Sequence, residues 1–176
     1  MQTDSDIHIY TSTISNFVQW CDEHHLLLNT KKQMRWCSTL GLLACPDGWA
    51  KHGERCYMFF NDKKTWCEAE SHCVEQGGNL FSLHTPEDAD FVRNVVLSAT
   101  GARTATWLGS HDSVQNNCWL NSDGSKFDFQ AWGPGEPNNY GGKEGCMELL
   151  GQPINDISCS IKAAFICARS LEVMDD

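Results

Sequence analysis

Residues 144–159 read Glu-Gly-Cys-Met-Glu-Leu-Leu-Gly-Gln-Pro-Ile-Asn-Asp-Ile-Ser-Cys, with acidic and amide side chains close to two cysteines. The tripeptide Glu136-Pro137-Asn138 lies shortly before this stretch. Together they supply five hard oxygen donors in two clusters: Glu136, Asn138, Glu144, Asn155 and Asp156. Ca²⁺ takes about 6–8 oxygen ligands, whereas zinc would favour Cys or His. The alternative interpretation is a solvated acidic loop.

The composition narrows the function classes. The chain has 176 residues, with 13 Lys and Arg against 23 Asp and Glu, so its net charge of −10 does not favour nucleic-acid binding. No apolar run reaches the roughly 20 residues that span a bilayer. Ten cysteines without a Cys-x-x-Cys pair indicate a disulfide framework, and therefore an oxidising compartment.

Residues 1–44 differ from the rest of the chain. They carry 3 basic and 4 acidic side chains, whereas residues 45–176 carry 10 and 19. A short helix is predicted after Ser15, and residues 17–32 resemble a fragment of a retrotransposon reverse transcriptase without its catalytic aspartate pair. Two interpretations stay open: a misjoined gene model, or an unrelated, weakly ordered extension. The apolar run at 34–44 is too short and interrupted for a signal peptide, so no intact export signal is expected.

From Cys45 onward the pattern predicts one loop-rich α+β domain. Thr65 and Glu68 form the capping box of a first helix, which Gly77-Gly78 ends, and Thr85-Pro86 begins a second helix. The Gly- and Asn-rich segment 121–145 is predicted to be a long functional loop. Strands are predicted at residues 56–60, 80–83, 105–109 and 164–168.

Residues 45–169 resemble the C-type lectin-like domain, and residues 170–176 read as an acidic tail. The resemblance implies a disulfide-stapled α+β fold in which two helices flank small antiparallel sheets and a long loop region binds calcium. The motifs that carry it are Cys45-Pro46-Asp47-Gly48-Trp49, Thr65-Trp66, Gly77-Gly78-Asn79-Leu80, Trp107-Leu108-Gly109, Glu136-Pro137-Asn138 and Asn155-Asp156-Ile157-Ser158-Cys159.

The family's framework implies three disulfides: Cys45–Cys56, Cys73–Cys167 and Cys146–Cys159. Cys67 and Cys118 are left over within the domain. On a regular helix, Cys67 and Cys73 sit about 120° apart and cannot easily pair with each other. We therefore expect a fourth bridge, Cys67–Cys118, against the alternative of two free thiols. Cys21 and Cys37 have no role in the family.

The resemblance also implies that all five oxygen donors ligate one Ca²⁺ and bind the sugar, whose vicinal hydroxyls complete the coordination shell. The order Glu136-Pro137-Asn138 resembles the mannose-type version, which selects equatorial 3- and 4-hydroxyls, and family members hold the Glu-Pro bond cis. Ile154 replaces the family's usual Trp. Of the distinctive acids of the auxiliary calcium site only Asp112 remains, so one calcium is expected. Non-acidic residues occupy the other auxiliary positions: Asn116, Asn139 and Gly145.

The sequence therefore predicts a secreted, non-enzymatic, calcium-dependent lectin whose partners are glycans or glycoproteins. Seven scattered histidines form no recognisable nucleophile motif. Glu136 and Glu144 held ionised by calcium would leave no general acid for a glycosidase. Weak single-site affinity would favour a homo-oligomer. The alternative is a different use of the fold, because the extra cysteines also resemble fish type II antifreeze proteins and secreted members that bind protein surfaces.

Overall fold

The computed structural model describes residues 43–151 and 154–173. The predicted helix after Ser15, and Cys21 and Cys37, lie outside these residues. The chain divides into two compact units. One is Cys45–Leu171; the other comprises Met1–Ala44 and Glu172–Asp176, and within it β1 (Leu43–Ala44) pairs antiparallel with β10 (Glu172–Val173).

The unit Cys45–Leu171 has the predicted α+β fold. The strands of its sheet are β2 (Ala50–His52), β3 (Arg55–Lys64), β4 (Asn79–Leu80), β5 (Thr106–His111), β6 (Leu120–Asn121), β7 (Cys146–Leu149), β8 (Ile154–Ile157) and β9 (Ala163–Ser170). They are arranged in the order β2-β3-β9-β5-β7-β8, with β4 on β9 and β6 on β5. All of these strand pairs are antiparallel except β5 with β9.

Two helices pack on this sheet, and both begin where the sequence predicts. Helix α1 (Trp66–Glu75) starts with the predicted capping box, in which Thr65 and Glu68 each bind the other's backbone N–H. Helix α2 (Pro86–Thr100) is capped by Thr85 and has Pro in its first turn. The predicted strand at residues 80–83 is shorter than expected, because regular pairing stops after Leu80.

The core has two clusters: α2 contributes to one, and the other lies where α1 and β4 approach the central strands β9 and β5. Trp107 is fully buried, and its indole Nε1–H donates to the Lys64 carbonyl at 2.8 Å. Gly78 and Gly109 allow backbones to approach closely: a Cβ on Gly78 would lie 2.1 Å from the Ala168 carbonyl oxygen. These contacts explain two of the motif glycines, since any side chain there would separate the strands.

Three disulfides form as the resemblance implies: Cys45–Cys56, Cys73–Cys167 and Cys146–Cys159. The second joins α1 to β9 across 94 residues of sequence, the longest loop of the three. The fourth predicted bridge was wrong, because Cys67 and Cys118 are exposed free thiols. Cys67 lies about 200° around the helix from the buried Ala69, so its side chain is directed to solvent.

Candidate functional site

The β7–β8 hairpin positions one cluster of oxygen donors. Its register pairs Glu148 with Asn155 and Met147 with Asp156, and the Cys146–Cys159 bridge closes it at one end. The long loop reaches this hairpin through a bridge between Trp132 and Ile154. Ile154, which stands where the family usually has Trp, is buried at the base of the site.

The second cluster follows directly from this bridge. The Gly133 amide donates to the Ile154 carbonyl at 2.8 Å, and the Glu136 amide donates to the Gly133 carbonyl at 3.0 Å. The Glu136–Pro137 bond is cis, as expected. Glu136 and Asn155 therefore line the same cavity, of about 310 Å³.

Asp156 connects the two clusters. Its side chain is buried, and its two oxygens accept hydrogen bonds from the backbone amides of Asn138, at 2.9 Å, and Asn139, at 2.7 Å. A carboxylate that accepts two amide hydrogen bonds is held in one orientation. The loop after Pro137 is thus fastened to β8 at the point where the predicted ligands meet.

Glu136 carries the least satisfied polar atom of the site. Its Oε2 is buried and has no hydrogen-bond partner among the described residues. Burial raises the pKa of Glu136, and a hydrogen bond with Asp156 and the Asp156 charge raise it further, while Asn138 opposes them. A buried, unpartnered carboxylate oxygen beside a second carboxylate is an environment that a hard cation would stabilise. The residues present fit Ca²⁺ on this ground.

Glu144 occupies a different position. Its Oε2 accepts from the Tyr140 amide at 2.9 Å, and its own amide donates to Asn139 Oδ1 at 3.0 Å. With Asp112, Asn116 and Asn139 it lines a second cavity, of about 300 Å³. Within the described residues, no group of three or more His, Cys, Asp or Glu side chains is arranged to hold a metal ion. The structure thus brings Glu136, Asn138 and Asp156 together and leaves Glu144 beside them.

Two residues of the site were not predicted as functional. Glu148 is a buried carboxylate, 3% exposed, whose Oε1 accepts from Asn155 Nδ2 at 3.3 Å. Burial raises the pKa of Glu148, and the nearby Glu144 charge adds to that effect. Asn139 has a left-handed backbone, with φ of 43°, and links Asp156 to Glu144. An acid inside the apolar run of β7 was the one sequence signal that could have indicated Glu148.

The family assignment follows from comparison with known proteins. The family model described as "Lectin C-type domain" matches residues 62–169. Ladderlectin of Oncorhynchus mykiss is 45% identical over 118 residues, which cover 65% of this chain and 62% of ladderlectin. The galactose-specific lectin nattectin of Thalassophryne nattereri is 36% identical, with 73% and 82% covered. The chain belongs to the C-type lectin domain family, whose relatives are non-enzymatic lectins.

Solved structures show the same fold with different uses. The carbohydrate-recognition domain of cow CD23, crystallised in the presence of a GlcNAc2Man3 oligosaccharide, is 30% identical with a TM-score of 0.66, covering 73% of this chain and 97% of that one. A calcium-independent type II antifreeze protein is 29% identical with a TM-score of 0.67, covering 76% and 99%. In the described residues, no helix is long and apolar enough to cross a membrane.

Proposed function

We propose that the chain is a calcium-dependent carbohydrate-binding protein. The observation that carries the proposal is the buried, unpartnered Oε2 of Glu136 beside Asp156. One Ca²⁺ would be held by Glu136, Asn138, Glu144, Asn155 and Asp156, and it would supply open coordination positions for two sugar hydroxyls. The Asn138 and Asn155 amides would donate to those hydroxyls, and Glu136 and Glu144 would accept from them.

Glu144 would join the other four ligands from a position in which it already accepts one hydrogen bond. In the structure it accepts from the Tyr140 amide, inside a loop whose backbone is left-handed at Asn139 and Gly141. A carboxylate has two oxygens with about four acceptor sites, so Glu144 would keep this hydrogen bond and still offer an oxygen to a divalent cation.

For sugar preference we propose mannose-type glycans, on the order Glu136-Pro137-Asn138. The cow CD23 domain, crystallised with a mannose-containing oligosaccharide, supports this choice. Nattectin, which is described as galactose-specific, makes galactose the competing preference. The double variant Glu136→Gln with Asn138→Asp is expected to move retention from a mannose column to a galactose column. Retention of the wild-type chain on galactose alone would contradict the mannose assignment.

The cellular setting is part of the same proposal. Three disulfides are stable in an oxidising compartment, which supports secretion. We also propose that residues 45–169 are the functional domain and that residues 1–44 and 170–176 lie outside it. Binding partners would be glycans or glycoproteins, engaged by a homo-oligomer because single sites bind weakly.

The test is a glycan array probed with the full chain in calcium and in EDTA. Mannose-terminated glycans should bind in calcium only, and Glu136→Ala should abolish that binding. Binding that survives EDTA would overturn calcium dependence.

The likeness to a calcium-independent antifreeze protein favours a second candidate, ice binding. Inhibition of ice growth without retention on any sugar would support ice binding. Binding to a protein surface, with neither sugar retention nor ice inhibition, would support the use of this fold in protein recognition.

A further inference from the structure

Glu148 and Asn155 are opposite residues in the β7–β8 hairpin, and their side chains are hydrogen-bonded. Asn155 Nδ2 donates to Glu148 Oε1 at 3.3 Å. Glu148 is 3% exposed, whereas Asn155 is half-buried and lines the cavity that Glu136 also lines. One end of the Asn155 amide therefore faces an acid, and the residue borders the candidate calcium site.

The chemistry of the amide makes this contact directional. An asparagine amide has an oxygen that can ligate a cation and a nitrogen that cannot, and a half-turn about its last side-chain bond exchanges them. The acceptor oxygen of Glu148 favours the orientation in which the Asn155 nitrogen faces it. The Asn155 oxygen is then left for the cation, and the second N–H remains for a sugar hydroxyl.

Stability does not account for a carboxylate at this position. Glu148 is 3% exposed, and the hydrogen-bond donor that reaches it is the neutral Asn155 amide. Burial of a carboxylate with one neutral donor is unfavourable, and an apolar side chain would fit the strand without that cost. Groups that hydrogen-bond to a ligand's far atom typically change metal affinity by about 10–100-fold.

We propose that Glu148 is a positioning residue that orients the Asn155 amide oxygen toward the bound cation. The proposal rests on the proposed calcium site. Three variants separate its parts: Glu148→Gln keeps an acceptor and removes the charge, Glu148→Met removes both, and Glu148→Asp keeps the charge but withdraws the acceptor. Met147→Leu, on the same buried strand, is the matched control.

The first readout is the calcium dissociation constant by calorimetry, with thermal unfolding in EDTA as the check on folding. We expect Glu148→Met to weaken calcium binding about 10-fold or more, and Glu148→Gln and Met147→Leu to stay within about 3-fold. If Glu148→Met does not fold, Glu148→Asp should still weaken binding about 3-fold or more. Wild-type affinity in Glu148→Met or Glu148→Asp would overturn the proposal. Equal losses in Glu148→Gln and Glu148→Met would also overturn it, because charge rather than orientation would then be responsible.

The second readout separates this inference from the proposed function. In calcium-free protein, the NMR signals of the Asn155 side-chain NH₂ group should move in Glu148→Met and change little in Glu148→Gln. If the wild type binds no calcium, the proposed function fails while these signals still report on the Glu148–Asn155 contact. Unchanged Asn155 signals in Glu148→Met would refute the positioning role whatever the calcium result.

Discussion

The scaffold and the long loop of residues 121–145 are stabilised by different contacts. In the scaffold, β3, β9 and β5 bury apolar side chains around Trp107, and a disulfide joins α1 to β9. The loop packs Phe127, Phe129 and Trp132 on the core only in part, and polar contacts add to its attachment: Asp123 pairs with Arg55 at 3.0 Å, and Asp128 with His84 at 2.8 Å. Burial and covalent bonds respond little to pH or salt, whereas these polar contacts respond to both. Three of the five candidate ligands thus lie on the part of the domain that pH and salt can alter: Glu136, Asn138 and Glu144.

The largest expected effect is on the scaffold. Replacing both members of the long-range disulfide, Cys73→Ala with Cys167→Ala, should lower the free energy of unfolding by about 4–5 kcal/mol, because it frees the unfolded chain. Denaturant unfolding monitored by tryptophan fluorescence measures this. The control is Cys67→Ser with Cys118→Ser, which should change stability by less than about 0.5 kcal/mol. A comparable loss in the control would mean that these two thiols are bridged after all.

Two glycines allow the packing of the scaffold and of the loop to be compared by single substitutions. Gly78→Ala in the scaffold would place a Cβ 2.1 Å from the Ala168 carbonyl oxygen, so the free energy of unfolding should fall by about 3 kcal/mol or more. Gly141→Ala in the loop meets no atom within 4 Å and bears only the strain of its φ of 67°, about 1 kcal/mol. Thermal unfolding of the pair measures the difference. Equal costs would contradict the distinction between a tightly packed scaffold and an open loop.

The loop attachment should depend on pH. Burial of Asp123 disfavours its ionised form, but hydrogen bonds from Ser125 and Arg55 outweigh burial and lower its pKa below 3.8. A lowered carboxyl pKa contributes stability above the unfolded value, and that stability is lost as the pH falls through the folded value. Asp123→Asn should therefore cost about 1 kcal/mol at pH 7 and almost nothing at about pH 2, by denaturant unfolding at each pH. A cost that is independent of pH would exclude the ion pair as its source.

Some of this arrangement follows from local sequence, and some does not. Thr65, Glu68, Thr85 and Pro86 determine both helix starts through contacts within one turn, so both were predictable. The resemblance supplied the three disulfides. Glu148 was missed because its role depends on which β8 residue lies opposite it, and strand register is a tertiary property.

The wrong fourth bridge has a different cause. The number of unassigned cysteines does not show which way their side chains point. Cys67 faces solvent from the side of α1 opposite Ala69. The fold and the identity of the candidate ligands could thus be anticipated. The present position of Glu144, hydrogen-bonded to the Tyr140 amide, could not, because it depends on loop backbone geometry.

The smallest expected effect on stability is at the tip of the loop. Tyr140 is 81% exposed, so Tyr140→Ala should change the free energy of unfolding by less than about 0.5 kcal/mol. Its sugar affinity should fall if the ring stacks on a bound sugar, which titration with mannose measures. A stability loss above about 1 kcal/mol would show that the ring packs against the domain.

Calcium titration by calorimetry tests the central claim most directly. The wild-type chain should bind one Ca²⁺, and Glu136→Gln should lose that binding while its unfolding temperature in EDTA stays unchanged. Glu136→Gln keeps the size of the side chain and removes the negative charge of the carboxylate whose Oε2 is buried. Absence of calcium binding by the wild type, or equal binding by wild type and Glu136→Gln, would contradict a calcium site at Glu136 and Asp156.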